Sequence, residues 1–213
     1  MRKYSKDSLY RYTGKTDRLT FLKTYFSCPE YRFIAHYRLA QRYIKTPVLS
    51  FITSYLLKRI RYKFHIQIWA ESQIGEGFYI GHYGNTGINP QTIIGRNFNM
   101  ANGVTIGQAN RGSLKGTPVI GDDVWVGANA VIVGNIKIGN DVLIAPGAFV
   151  NFDVPDHSVV IGNPGQIRKH KHATKGYINR RIEFNDEKGK VEFIEDKKIV
   201  TPVITPAKKE KIF

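Results

Sequence analysis

Six histidines are the side chains of this 213-residue chain best placed to exchange protons near neutrality, and one of them stands apart by its surroundings. An unperturbed imidazole titrates near about 6.5, so it can accept a proton from a hydroxyl during nucleophilic attack. His36 and His65 fall in an N-terminal stretch with helical patterning, while His157, His170 and His172 fall at the end of the patterned middle or in the tail. His82 alone lies within the patterned middle, in a Gly-His pair beside a two-residue insertion, HYGNTGINP. Loops on a rigid scaffold are where chemistry tends to sit, which makes His82 the candidate general base.

Other kinds of chemistry are poorly supplied. Cys28 is the single cysteine, which leaves no disulfide framework and no Cys-rich zinc site and suits a reducing compartment. The histidines are scattered without ligand spacing, so no metal is expected. A net charge of +15 invites a nucleic-acid reading, yet no helix-turn-helix, zinc-finger or RNA-binding signature carries it, and none is expected as a partner. Anionic cofactor phosphates, an acidic glycan or a membrane surface fit the charge better.

The element that must position His82 is a repeat of six. Aliphatic or Met residues recur at Ile68, Ile74 and Ile80, at Ile88, Ile94, Met100 and Ile106, and from Ile120 through Val126, Ile132, Ile138 and Ile144 to Val150. Four residues after many of these comes a second inward candidate, such as Val104, Val124, Ala130, Ile136, Val142, Ala148 and Val154. A helix of 3.6 residues per turn would smear this period around its surface, whereas short strands joined by tight Gly or Asn turns accommodate it. Stacked hexads share one core, because no single repeat can bury its own apolar residues. The expected architecture is mainly β, a parallel β-helix of a little over four coils, interrupted after His82 and again by eight residues within QANRGSLKGTP. VPDHSVVIGNPGQIRK is expected to close it, since Pro155 and Pro164 cannot continue a ladder.

The flanks are built differently. In EYRFIAHYRLAQRYI the residues Phe33, Tyr37, Ala40 and Ile44 share one helical face, and Thr46-Pro47 reads as the cap and first turn of a second helix. That second helix is amphipathic and ends in KRIRYK; it either lies on an anionic bilayer or packs on the protein with its charges solvated. The apolar run VLSFITSYLL is far shorter than the roughly 18 residues of a membrane span, and the charged N-terminus lacks a signal core. Residues 1–66 hold 15 Lys/Arg against 3 Asp/Glu, residues 67–165 hold 4 against 7, and residues 166–213 hold 13 against 7. The division expected is a helical head at 1–66, a β-helix at 67–165 and a basic tail at 166–213, with RRIEF, NDEKGK and VEFIED as a hairpin.

These residues resemble the hexapeptide-repeat acyltransferases, and within them the serine acetyltransferase-like branch that includes capsule and exopolysaccharide O-acetyltransferases. The likeness covers about residues 30–170 and rests on KFHIQIWAESQIGEGFYIGH, VTIGQANRG, VWVGANAVIVGNIKIG and the closing VIGNPGQI. It implies a left-handed coil, a homotrimer and acetyl-CoA bound between neighbouring coils. His82 matches the catalytic His of the serine enzymes; the galactoside and xenobiotic subclass is disfavoured, because no His lies between 83 and 156. By the same resemblance Gly107, Ala128 and Pro146 border the pantetheine arm, Trp125 walls the thioester region and Lys169 meets a CoA phosphate.

The acceptor half departs from the serine enzymes. Their Asp fifteen residues before the catalytic His is Gln67 here, leaving Glu71, Glu76 or a backbone carbonyl to orient the imidazole. Their Asp immediately before that His is Gly81, and the loop positions that hold Arg and His fall at Gly116 and Thr117. The expectation is a cytoplasmic O-acetyltransferase, with peripheral contact at the inner membrane face open to its basic N-terminal helices. It transfers acetyl directly to a sugar hydroxyl of a surface-polysaccharide precursor, with Arg111 and Lys115 at the acceptor entrance and free serine a poor substrate. Serine O-acetylation for cysteine synthesis and a non-catalytic β-helix scaffold are the alternatives.

Overall fold

The tetrapeptides IGEG, IGRN, IGDD and IGND occupy the same corner of successive coils in the computed structural model, which describes residues 3–185 and 190–193. Ile74, Ile94, Ile120 and Ile138 point into the core at 5% exposure or less. The next residue, Gly75, Gly95, Gly121 or Gly139, lies where a Cβ would come within 2.9 Å of the neighbouring coil's backbone. The fourth residue, Gly77, Asn97, Asp123 or Asp141, takes a positive φ, between 52° and 76°, which Gly, Asn and Asp tolerate best.

Three parallel sheets result, one per side of the solenoid. Face 1 stacks β1 (Ile66–Gln67), β4 (Thr86–Ile88), β7 (Thr105–Gly107), β10 (Val131–Val133) and β13 (Phe149–Val150). Face 2 stacks β2 (Gln73–Ile74), β5 (Ile93–Ile94), β8 (Val119–Ile120) and β11 (Lys137–Ile138), with Val154 bridging onto Ile138 as a fifth rung. Face 3 stacks β3 (Tyr79–Ile80), β6 (Asn99–Met100), β9 (Val124–Val126), β12 (Val142–Ile144) and β14 (Ser158–Ile161), and β15 (Gln166–Lys169) adds antiparallel to its edge. Every hexad residue from Ile68 to Val150 is buried, as are the second inward positions from Val104 to Val154.

The coil count is corrected to about five. Ile66 already pairs with Thr86 as the first rung, and Ser158–Ile161 runs parallel to β12 between the two prolines, so the ladder continues past Val154. Pro155 sits in the turn and Pro164 follows the strand, where neither owes the ladder an N–H. Both insertions leave as loops: Val131 pairs with Phe149, an interval of 18, against 20 from Tyr79 to Asn99 and 26 from Thr105 to Val131.

Four helices precede the coils: α1 (Lys3–Thr13), α2 (Arg18–Ser27), α3 (Pro29–Tyr43) and α4 (Pro47–Phe64). Phe33, Tyr37 and Ala40 of α3 are buried as their spacing predicts, while Ile44 is the C-cap and 39% exposed. Tyr37 donates its hydroxyl to Ser72 O at 2.6 Å, Arg38 donates to Ile74 O, and the rings of Phe33, Tyr37, Phe78 and Phe98 pack in sequence. The head is thus continuous with the solenoid core. Thr46 is the N-cap residue of α4 and Pro47 its first turn, and His65 ends it in the left-handed region before β1 begins.

A C-terminal strap crosses the positive-φ corner. The Asp141 carboxylate accepts hydrogen bonds from Ala173 N, Thr174 N and Thr174 Oγ1 at 3.0, 3.0 and 2.6 Å, and lies 2.8 Å from His157 Nδ1. Asn97 exchanges side-chain hydrogen bonds with the backbone of Ile182, and Asp123 pairs with Arg181. Beyond it β16 (Ile182–Asn185) pairs antiparallel with β17 (Lys190–Phe193); the intervening turn, 186–189, and the tail beyond 193 lie outside the described residues.

Burial alone would raise the pKa of Asp141, but the hydrogen bonds from Thr174, His157 and Ala173 outweigh it and hold the carboxyl below its usual value. A depressed carboxylate contributes stability above its unfolded pKa of about 3.9 and loses it as pH falls through the folded value. Asp141→Ala, which orphans buried N–H donors, is expected to cost about 2–3 kcal/mol near neutral pH. Thermal melts of both proteins from pH 7 to pH 3 check this: the gap closes only at the acid end.

Candidate functional site

The turn from face 3 to face 1 is built as a column of backbone hydrogen bonds. Gly103 N donates to Gly84 O at 3.1 Å, Asn129 N to Asn102 O at 3.1 Å, and Gly147 N to Ala128 O at 2.8 Å. His82 occupies the first storey of this corner, directly after β3, with the preceding Gly81 N held by Met100 O at 2.8 Å. Ala128 and Pro146 occupy later storeys of the same corner. One edge of the molecule therefore carries the candidate base and two of the three residues expected beside the pantetheine arm.

His82 is exposed, and among the described residues it makes no hydrogen bond or ion pair. Gln67 sits at the end of β1, exposed, opposite Gly87. Glu71 and Glu76 are exposed in the first coil's turns, and neither bonds to His82. The imidazole is thus free to meet a substrate hydroxyl but is not oriented by an acid of the described chain.

Gly107 lies at the far end of face 1 from His82, where the chain leaves into the eight-residue insertion. That loop is a compact excursion: Ala109 and Gly116 exchange backbone hydrogen bonds at 3.0 Å each, and Asn135 N donates to Leu114 O at 2.9 Å. Arg111 and Lys115 are exposed on it. Trp125 is elsewhere, on face 3, with its ring 4.8 Å from that of Tyr177 in the strap. Lys169 ends β15, exposed, opposite Ser158. One chain thus brings His82, Ala128 and Pro146 together and leaves Gly107, Arg111 and Lys115 at the next corner, with Trp125 and Lys169 on a third surface.

The residues that the hexad pattern missed are Asn97, Asp123 and Asp141, the polar side chains that hold the strap. Their signal was present as the fourth letter of IGRN, IGDD and IGND, where a short polar residue in the left-handed region aims its side chain at whatever crosses the corner. The other notable pair, His157 with Asp141, serves the same docking rather than the His82 corner. Among the described residues no group of three or more His, Cys, Asp or Glu is placed to hold a metal ion.

The sequence pattern described as "Bacterial transferase hexapeptide (six repeats)" matches residues 117–151. Serine acetyltransferase 4 of Arabidopsis thaliana is 35% identical over 146 residues, covering 68% of this chain and 39% of that protein. The serine acetyltransferase of Bacillus pumilus is 32% identical over 131 residues, covering 62% of this chain and 60% of that one. A serine acetyltransferase from Brucella abortus, solved in complex with coenzyme A, superimposes with a TM-score of 0.65 at 25% identity, covering 79% of this chain and 66% of its own. The chain spans between 35% and 60% of the length of the first curated relatives it matches.

These findings overturn the sugar-hydroxyl acceptor and, with it, the expectation that serine is a poor substrate: the named relatives are serine acetyltransferases. Two of the departures, Gly116 and Thr117, have a local reason in the structure. Gly116 has φ of 135°, and a Cβ there would meet Asn135 Cβ at 2.9 Å, so the loop's own path demands a glycine. The Thr117 hydroxyl is spent on Gln91 O at 3.3 Å. Both residues report how the loop closes rather than the charge of an acceptor pocket.

Proposed function

We propose that this hexapeptide-repeat solenoid, a relative of the serine acetyltransferases, moves the acetyl group of acetyl-CoA onto the hydroxyl of serine. The observation that carries the reading is the likeness to a protein named for that reaction, 35% identity across 146 residues and 68% of this chain. His82 acts as general base: it takes the proton from the serine Oγ as that oxygen attacks the thioester carbonyl carbon. The new C–O bond forms, the C–S bond breaks, and the departing CoA sulfur takes the proton from the imidazolium. The acetyl group passes directly to serine, with no acyl-enzyme.

The protein works as a homotrimer. His82 and the loop bearing Arg111 and Lys115 lie at different corners of one chain, and a three-fold arrangement sets a corner of one chain against the next corner of its neighbour. Acetyl-CoA then lies in the cleft between two chains, along Ala128 and Pro146, with Gly107 from across face 1 and Lys169 toward a phosphate as a point charge. A cytoplasmic site of action is the reading we keep, and the lone Cys28, which suits a reducing compartment, supports it.

Release of free CoA thiol on adding L-serine, with O-acetylserine as the product, is the direct test. A kcat/KM for serine of at least about 10⁴ M⁻¹s⁻¹ is expected. Thiol release that does not depend on serine, or a fully active monomer in sedimentation at micromolar concentration, would overturn the reading.

A further inference from the structure

Helix α4 buries one side and leaves the opposite side apolar and bare. Thr53, Leu57 and Phe64 face the protein, while Val48, Ile52, Tyr55 and Tyr62 recur at spacings of four, three and seven on the far side. Val48 is 72% exposed, Phe51 78% and Tyr62 70%, values that a surface helix of a water-bathed monomer rarely combines. The charges around this stripe are of one sign: Lys45, Lys58, Arg59 and Lys63 are exposed, and no acidic residue occurs between Glu30 and Glu71.

We propose that the outward face of α4 docks on an anionic lipid bilayer, with Val48, Phe51 and Ile52 entering the headgroup boundary and Lys58, Arg59 and Lys63 meeting lipid phosphates. The arrangement is that of an interfacial helix, apolar on one side, cationic at its flank and carrying tyrosines suited to the headgroup level. Among the described residues no helix is long and apolar enough to cross a membrane, so the contact lies on the surface. Charge complementarity selects this occupant over a second copy of the chain. A face-to-face pairing of two copies would set the same uncompensated cations of both helices against one another, where an anionic surface neutralises all of them; cover by a neighbour in the homotrimer is the outcome that the particle size of the Phe51→Ser, Ile52→Ser variant detects.

Vesicle flotation of the full-length protein tests this. Binding to phosphatidylcholine vesicles containing about 30 mol% phosphatidylglycerol is expected, with little binding to pure phosphatidylcholine and a marked loss at high salt. Reversing Lys58, Arg59 and Lys63 to Glu should weaken binding by at least about a hundredfold, taking roughly fivefold per cation removed from the surface. Phe51→Ser with Ile52→Ser should weaken it while leaving far-ultraviolet dichroism, melting temperature and serine acetylation unchanged. Equal binding to both vesicle types, or none to either, would overturn the proposal. So would a smaller particle for Phe51→Ser with Ile52→Ser in vesicle-free buffer, since that would make the face an interface between copies.

Discussion

Replacing His82 with Ala is expected to slow acetyl transfer to serine by about 10²–10⁴-fold, the usual contribution of a positioned general base. His82 is suited to so clean an experiment because it is exposed and makes no hydrogen bond or ion pair among the described residues. Its removal orphans nothing, so the melting temperature and the affinity for CoA should hold. Steady-state rates across pH, beside a CoA-binding titration, separate the possibilities. Loss of rate at unchanged CoA affinity is the expected pattern. A variant retaining more than a tenth of the rate would move the proton transfer to another group.

The second large effect concerns the corner glycines. Gly95→Ala is expected to destabilise the protein by about 3 kcal/mol or more, because the added Cβ would lie 2.7 Å from the backbone of Gly121. Little there can step aside: Gly121 is main chain in the next rung, the still nearer Asp122 carboxylate is tied to Arg96 N and its guanidinium, and Gly121 is backed as closely, since a Cβ built on it would come within 2.8 Å of Gly139 O. The backbone at Gly95 has an ordinary φ, so the effect is close approach and not conformational freedom. Gly87→Ala is the control, since its Cβ would meet only Gln67 Cβ at 3.8 Å, and its effect should stay below about 1 kcal/mol. For a chain of this length, 3 kcal/mol corresponds to a fall in melting temperature of roughly 6–12 °C. A Gly95→Ala protein that melts with the wild type would mean that the coils can separate without cost.

The six-residue period determined the solenoid, its inward residues and the place of its two insertions, because each coil's neighbour lies a nearly fixed interval along the chain. A stack of nearest-neighbour contacts writes itself into the sequence as a rhythm, and Ile94, Gly95 and Asn97 each keep their beat for a separate steric reason. His82 stands out as a candidate in the same way, as the histidine beside the first interruption. Tertiary structure alone decided what no rhythm encodes. Asp141 meets Thr174 across 33 residues, Asn97 meets Ile182 across 85, and Arg11 of α1 reaches Asn99 across 88. It set Tyr177 over Trp125, and it made Gly116 a requirement of its loop and not a sign of an open pocket. Such contacts join segments with different local patterns, and only the closure of the folded chain brings their hydrogen-bonding groups within 3 Å of each other.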